Sequence, residues 1–271
     1  TRVPGVSLFG ATEPIPRRPL LYKSGIVIIG QGTKIGYLGD ASFRYDPETY
    51  LVVGVPVSFE VETRASPDEP LLGVSIDVNP AALRDLVARI GDLLPLEDTG
   101  PVPRGVEPVA LDERMVNATA RLLRCLWDPL ESQALGESIV HEILFRVLVG
   151  PHGRVLRRLT QQHTPYARVA RALSLIHHEY ASPLDVPTLA RTAALSPSAF
   201  HRAFKRVTGQ SPVQYVKSVR LHQAHALITQ LGTQAGVAAA QVGYSSPSQF
   251  SREFKRYFHA SPSDLRRREA R

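Results

Sequence analysis

The sequence predicts an α+β protein: an N-terminal antiparallel β-sandwich with flanking helices, then an all-α domain holding two helix-turn-helix units. Three observations predict it. Runs rich in Val, Ile, Leu and aromatic residues, separated by turn residues, fill positions 1 to 78 with no helix-length periodic segment among them. Amphipathic helical patterns fill most of the remainder. Within them one stretch occurs twice: Ser196 to Pro212 matches Ser246 to Pro262 at ten of seventeen positions without a gap.

Taken in order, strands are expected over Leu20 to Tyr22, Gly25 to Gly30, Tyr50 to Val55, Val57 to Glu62 and Leu71 to Ile76. Asn79-Pro80 then opens a helix with Leu83, Leu86, Val87 and Ile90 on one stripe. Pro95 to Pro108 reads as a linker. Two further helices are expected over Asp112 to Trp127 and Leu130 to Val149, with Met115, Leu122, Leu126, Leu135, Ile139, Ile143 and Val147 on a packed face. They either close off the sandwich or form a dimer interface. The turn-rich, basic stretch from Pro151 to Thr164 reads as a connector, so the domains divide into 1–155, with the sandwich at 1–78 and helices at 79–149, and 156–271.

The second domain starts with a helix over Tyr166 to Tyr180, with Val169, Leu173, Ile176 and Tyr180 inward. Each copy of the repeat is then built alike. A short Ala-rich segment, Val186 to Ala194 or Val237 to Val242, leads through a tight turn to Ser-Pro, a good N-cap followed by a good first helical residue. Phe200 and Phe204, like Phe250 and Phe254, fall on one face four residues apart, and the opposite face carries Arg and Lys. These are helix-turn-helix units, at 186–208 and 236–258, joined by a long helix over Pro212 to Gln230. Two amphipathic helices merely packed in a core would explain neither the duplication nor the basic faces.

Here the chain resembles the AraC-type (AraC/XylS) transcriptional regulators, whose pattern Gly-Tyr-x-Ser-x-x-x-Phe-Ser-Arg-x-Phe-Lys-Arg is similar to Gly243 to Arg256. The resemblance covers roughly Tyr166 to Arg268. It departs at His259, where the family often has Gly, and at Leu265, where it often has an aromatic residue, while Arg266 fits. The first half resembles, more weakly, the family's cupin-like effector-binding domain. The resemblance implies a cytoplasmic, effector-responsive transcription regulator that binds double-stranded promoter DNA as a homodimer. It implies base contacts from Ser198, His201 and Arg202 in one unit and Ser248, Gln249, Ser251 and Arg252 in the other. Lys205, Arg206, Lys255 and Arg256 lie a turn farther along, where they touch phosphate or stay solvated.

Charge agrees with this division. From Thr160 onward there are 15 Lys and Arg against 5 Asp and Glu, whereas the first 159 residues hold 17 against 20. The excess positive charge therefore belongs to the half expected to neutralise phosphates. Paired Arg17-Arg18, about twenty residues before Asp40-Ala41-Ser42, resembles a degenerate PilZ signature, with adjacent arginines and Tyr45 in place of a Gly. That resemblance implies a phosphate-bearing effector, cyclic di-GMP the best single guess, held by Arg17, Arg18, Asp40 and Ser42. An apolar or sugar-like molecule inside the sandwich is the competing expectation.

Other functional classes find little support. A cupin-type metalloenzyme needs histidines in the sheet, and the first one is His141. His222 and His225, three apart on the long helix, read as surface or packing residues, and no cofactor or metal is expected. Gly30 to Gly36 suggests a nucleotide fingerprint only superficially and reads as a turn. Cys125, the single cysteine, sits mid-stripe and reads as a buried apolar residue in a reducing compartment. No apolar run reaches membrane-spanning length, no signal-peptide pattern is present, and an initial Thr suggests a missing native N-terminal piece. The alternative from another class is a DNA-binding architectural or repair module with a structural N-terminal domain.

Overall fold

The computed structural model describes residues 1–94, 101–151, 153–161 and 163–269. Among the described residues, nine strands make two facing antiparallel sheets. They are β1 (Val6–Ala11), β2 (Ile15–Tyr22), β3 (Gly25–Gln31), β4 (Thr33–Leu38), β5 (Ala41–Tyr45), β6 (Thr49–Val53), β7 (Val57–Arg64), β8 (Leu71–Asp77) and β9 (Val106–Ala110). One sheet has the order β1-β8-β3-β6-β9 and the other β2-β7-β4-β5. Alternation along each strand sends one set of side chains between the sheets, such as Phe59 and Val61 of β7, and the other set outward, such as Ser58 and Glu60.

Gly30 to Gly36 holds the expected turn, with Gly32 at φ 80° between β3 and β4. The expected linker is different: β9 begins within its last residues, pairing with β6 so that Pro108 faces Leu51. Proline is tolerated there because β9 is an edge strand, where a missing N–H leaves no ladder bond unmade. Residues 95–100 of that linker, and His152 and Gln162 of the connector, lie outside the described residues. The connector also holds a helix, α4 (Arg154–Thr160), whose Val155 and Leu156 are buried.

α1 (Pro80–Ile90) is capped by Asn79, as its sequence predicts. α1 and α3 (Pro129–Val149) cover the outer face of the five-stranded sheet, where Ile26, Ile76, Ala82 and Leu144 line one cleft. α2 (Glu113–Cys125) packs against α3, with Met115, Leu122, Ile139, Ile143 and Val147 buried and Cys125 beside them. Leu135, expected on that packed face, is half exposed, and Val116, Leu123, Trp127 and Leu130 are exposed nearby.

The C-terminal helices are α5 (Pro165–Glu179), α6 (Val186–Thr192), α7 (Pro197–Thr208), α8 (Pro212–Gln230), α9 (Ala235–Gln241), α10 (Pro247–Phe258) and α11 (Pro262–Glu269). Ser196 and Ser246 cap α7 and α10 by accepting from the amides of Ala199 and Gln249. Ser211 and Gln214 form a capping box that starts α8. Phe200, Phe204, Phe250 and Phe254 are all fully buried.

Two cores result. A small one serves the second unit: Leu221, Ala224, Ile228, Ala238, Ala239, Val242, Phe250 and Phe254, with Leu265 packed against it. The other runs without interruption from the sandwich through α4 and α5 into Phe200, Phe204 and Tyr215 of the first unit. The first helix-turn-helix unit is thus fused by packing to the N-terminal domain, and the connector is part of that core.

Candidate DNA interface and effector site

Helices α7 and α10 each bury their two phenylalanines and turn the other face outward. Ser198, His201 and Arg202 on α7, and Ser248, Gln249, Ser251 and Arg252 on α10, are all exposed. Arg202 and Arg252 hold equivalent places in the repeat, and each presents a planar fork able to take guanine O6 and N7 together. Gln249 also donates to Glu253 Oε1 at 3.1 Å, which steadies its amide.

The four residues one turn farther along divide in two. Lys205 and Lys255 project freely to solvent. Arg206 instead donates from Nε to the Val102 carbonyl at 3.1 Å, and Arg256 borders a cleft with Arg17, Tyr37 and Glu60. Both arginines are nonetheless exposed like the lysines, and the ends of α7 and α10 that carry them lie beside the sandwich.

That contact is the largest feature the sequence did not foretell. Ser58, on the outer face of β7, has its Oγ 2.7 Å from Tyr257 Oη and 3.2 Å from His222 Nε2, and the latter two are 3.2 Å apart. Gln210 donates to the Ser58 carbonyl at 3.0 Å, and Tyr215 Oη donates to the Pro56 carbonyl at 2.7 Å. The Gly105 amide donates to the Val207 carbonyl at 2.7 Å. Burial, with a smaller effect of His225, pushes the His222 imidazole down to about 3; burial likewise takes His177, bonded to Tyr215 Oη at 2.9 Å, down to about 4. His222 and His225 are thus packing residues: His222 meets the Tyr257 and Phe258 rings edge-on, and His225 stacks on Phe254.

The four residues expected to hold an effector do not come together. Arg17 lies outside the sandwich, its guanidinium paired with Glu60 and 4.0 Å above the Tyr37 ring. Arg18, paired in register with Val61, faces the opposite way, near enough to Lys34 and Tyr22 to influence both. With Arg17 held on Glu60 outside and Arg18 turned toward Lys34 and Tyr22, the two guanidiniums do not converge on one phosphate. Asp40 sits in the turn between β4 and β5, whose Leu38 and Gly39 abut Gly209. Ser42 is on β5, at the far edge of the sheet from β2, beside Arg104, Arg154 and Arg206.

A different group is more convergent. Lys34, on the inner face of β4, lines a cavity of about 360 Å³ with Phe9, Leu20, Tyr22, Val27 and Ser75, and its ammonium lies 4.8 Å above the Phe9 ring. Among the described residues no carboxylate pairs with it. Burial, aided by Arg18, lowers its pKa to about 8. A lysine hidden inside a β-sandwich gives no periodic signal, so only the missing acid partner, visible in three dimensions, marks it.

Comparison with known proteins bears on both halves. Residues 2–155 match the model of the AraC-type transcriptional regulator N-terminus, and residues 189–268 match a helix-turn-helix domain. The chain is 28% identical to the transcriptional activator RhaS of Yersinia pestis over 192 residues, 69% of this chain and 67% of that protein. It is 21% identical to the lactose operon transcription activator of Staphylococcus xylosus over 234 residues, covering 84% and 80% of the two chains. The fold matches the crystal structure of ToxT from Vibrio cholerae with a TM-score of 0.61 over 96% of this chain and 97% of that one, at 12% identity. With a family model spanning more than half its length and two exposed basic helices in the expected frame, the chain belongs to the AraC-type transcriptional regulators, a family of DNA-binding proteins rather than enzymes.

Proposed function

We propose that this chain activates transcription from promoters read by Ser198, His201 and Arg202 on α7 and by Ser248, Gln249, Ser251 and Arg252 on α10, under control of an apolar acid bound inside the sandwich. The observation that carries the effector reading is Lys34: a largely desolvated ammonium, without an acid partner among the described residues, above a hydrophobic cavity. An anionic head would supply the missing charge and an apolar tail would fill the cavity. Two further facts support it. RhaS and the lactose operon protein are activators, and ToxT crystallises with an unsaturated fatty acid bound. The exposed apolar residues Val116, Leu123, Trp127 and Leu130 on and after α2 favour a homodimer formed through that face. A cyclic dinucleotide such as cyclic di-GMP would need Arg17, Arg18, Asp40 and Ser42 to act from one site.

The test is calorimetric titration of the whole chain with oleate and, separately, with cyclic di-GMP, alongside Lys34→Ala and Arg17→Ala/Arg18→Ala. Oleate should bind the wild type and lose at least about tenfold in affinity on Lys34→Ala. Because an anion raises the lysine's pKa, wild-type affinity should fall as pH climbs above about 8, and this fall should vanish in the variant. Binding of cyclic di-GMP that is abolished by the arginine pair, with no response to oleate, would reverse the assignment.

A further inference from the structure

Recognition of a bipartite site requires more than two reading helices; it requires that they be held apart correctly. Helices entering successive major grooves must sit roughly 34 Å apart, and α10 is about 18 Å long at 1.5 Å per residue. A swing of about 10° therefore moves its far end by about 3 Å, close to one base-pair step of 3.4 Å. Something must fix that angle, and hydrophobic packing alone is shared unequally. The first unit lies in the large core and the second in its own small one.

One side chain ties the backbones of both units together. Arg220, in the middle of α8, donates from Nε to the Tyr180 carbonyl at 2.7 Å, from one terminal nitrogen to the Ser182 carbonyl at 2.9 Å, and from the other to the Gly243 carbonyl at 3.3 Å. Tyr180 and Ser182 lie just past the end of α5, which packs against α6 and α7. Gly243 is in the turn between α9 and α10. A guanidinium suits the task, since its rigid fork can bond several carbonyls at once and it keeps its charge at all working pH values.

The same junction shows why the approach is close. Gly243 has φ 85°, and a Cβ there would lie 2.2 Å from the Ala181 carbonyl oxygen. The end of the first unit and the reading turn of the second are thus in backbone contact, with Arg220 bridging the seam. A second tie reinforces it on the α10 side: Lys217 Nζ meets Glu253 Oε1 at 2.9 Å, and Tyr244 Oη donates to Glu253 Oε2 at 2.9 Å.

We propose that Arg220 is a positioning residue for DNA recognition: by pinning Tyr180, Ser182 and Gly243 together, it sets the spacing and angle between α7 and α10, and hence the separation of the two half-sites the protein accepts. This rests on the DNA-reading assignment above, so two measurements keep the two apart. The first needs no DNA. Spin labels placed on Ser198→Cys and Ser248→Cys, in a Cys125→Ala background, report the distance between the reading helices by double electron–electron resonance in the full chain. The Arg220 chain should give one narrow distribution, and Arg220→Met should give a distribution at least about twofold broader. Arg220→Lys, which retains charge and reaches a single carbonyl, should fall between them.

The second measurement uses a duplex selected by the wild type from a randomised pool, then remade with one base pair inserted or deleted between its halves. The wild type should lose at least about tenfold in affinity on either change, and Arg220→Met should lose no more than about threefold. Unfolding of Arg220→Met, checked by circular dichroism, leaves Arg220→Lys to decide both measurements. Equal distance distributions in wild type and folded variants, or an unaltered spacing preference, would overturn the proposal. Selection of no sequence by the wild type, together with broadened distances in the variants, would overturn the DNA-reading assignment while upholding the role of Arg220 in positioning.

Discussion

Acid should loosen the contact between the sandwich and the second unit through His222, and His222→Gln should remove that sensitivity. The imidazole is wedged against the Tyr257 and Phe258 rings, with Nε2 within 3.2 Å of the Ser58 and Tyr257 hydroxyls. Burial holds it neutral down to about pH 3, whereas in the unfolded chain it titrates near 6.5. The folded value is depressed, so between those two values the unfolded state binds more protons and stability falls as pH falls; above pH 6.5 the group has no effect. At pH 5 the unfolded imidazole is favoured for protonation by about 1.5 logarithmic units, which costs the fold about 2 kcal/mol. The ionisable groups that act on His222 and Tyr257, His225 and Glu60, are common to both proteins. A glutamine amide can occupy the place of Nε2 without titrating. The assay is urea unfolding of wild type and His222→Gln at pH 7.5 and pH 5, followed by far-ultraviolet circular dichroism, because Trp127 is 89% exposed and a poor fluorescence reporter. The wild type should lose about 2 kcal/mol more than the variant across that interval. Identical pH dependence would show that His222 is already solvated or charged at neutral pH, and the reasoning would fail.

Other expectations follow from the proposed DNA-reading role of α7 and α10 and from the caps. Arg202→Ala or Arg252→Ala should cost about 1 to 3 kcal/mol on the selected site and relax specificity at one base position; equal losses on random DNA would deny base reading. Lys205→Ala or Lys255→Ala should weaken all sequences alike and lower the salt slope of log K by about 1, measured by anisotropy across a salt series. Arg206→Ala should also release the Val102 carbonyl, so its effect on DNA binding should include a change in the free protein's stability that the lysine variants lack. His259 closes α10 in the left-handed region at φ 57°, where the first copy of the repeat has Gly209 at φ 72°. His259→Gly should therefore stabilise the protein by about 1 kcal/mol in thermal or urea unfolding, and a loss of stability would mean that the imidazole makes contacts outweighing the strain.

The sequence alone determined what short-range physics controls. Ser-Pro at 196 and 246, Asn79-Pro80 and Ser211-Pro212 start helices because a cap and a proline act within one turn, and Phe pairs four apart fix which face is buried. Duplication makes the paired basic helices α7 and α10 legible in the sequence itself, and the break between sheet and helix near Val78 follows from a change of hydrophobic period. What the tertiary structure decided depends on partners far away in the chain. The strand β9 forms because an edge position next to β6 accepts Pro108, and local composition cannot announce a free edge. Arg17 and Arg18 look like a pair in one dimension, yet the pleat sends them to opposite faces, one to Glu60 and the other toward Lys34. Ser58 meets His222 and Tyr257 across 164 and 199 residues, a juxtaposition no local pattern encodes. Arg220, an ordinary arginine on a helical pattern, bridges two units only because folding brings three carbonyls within its reach.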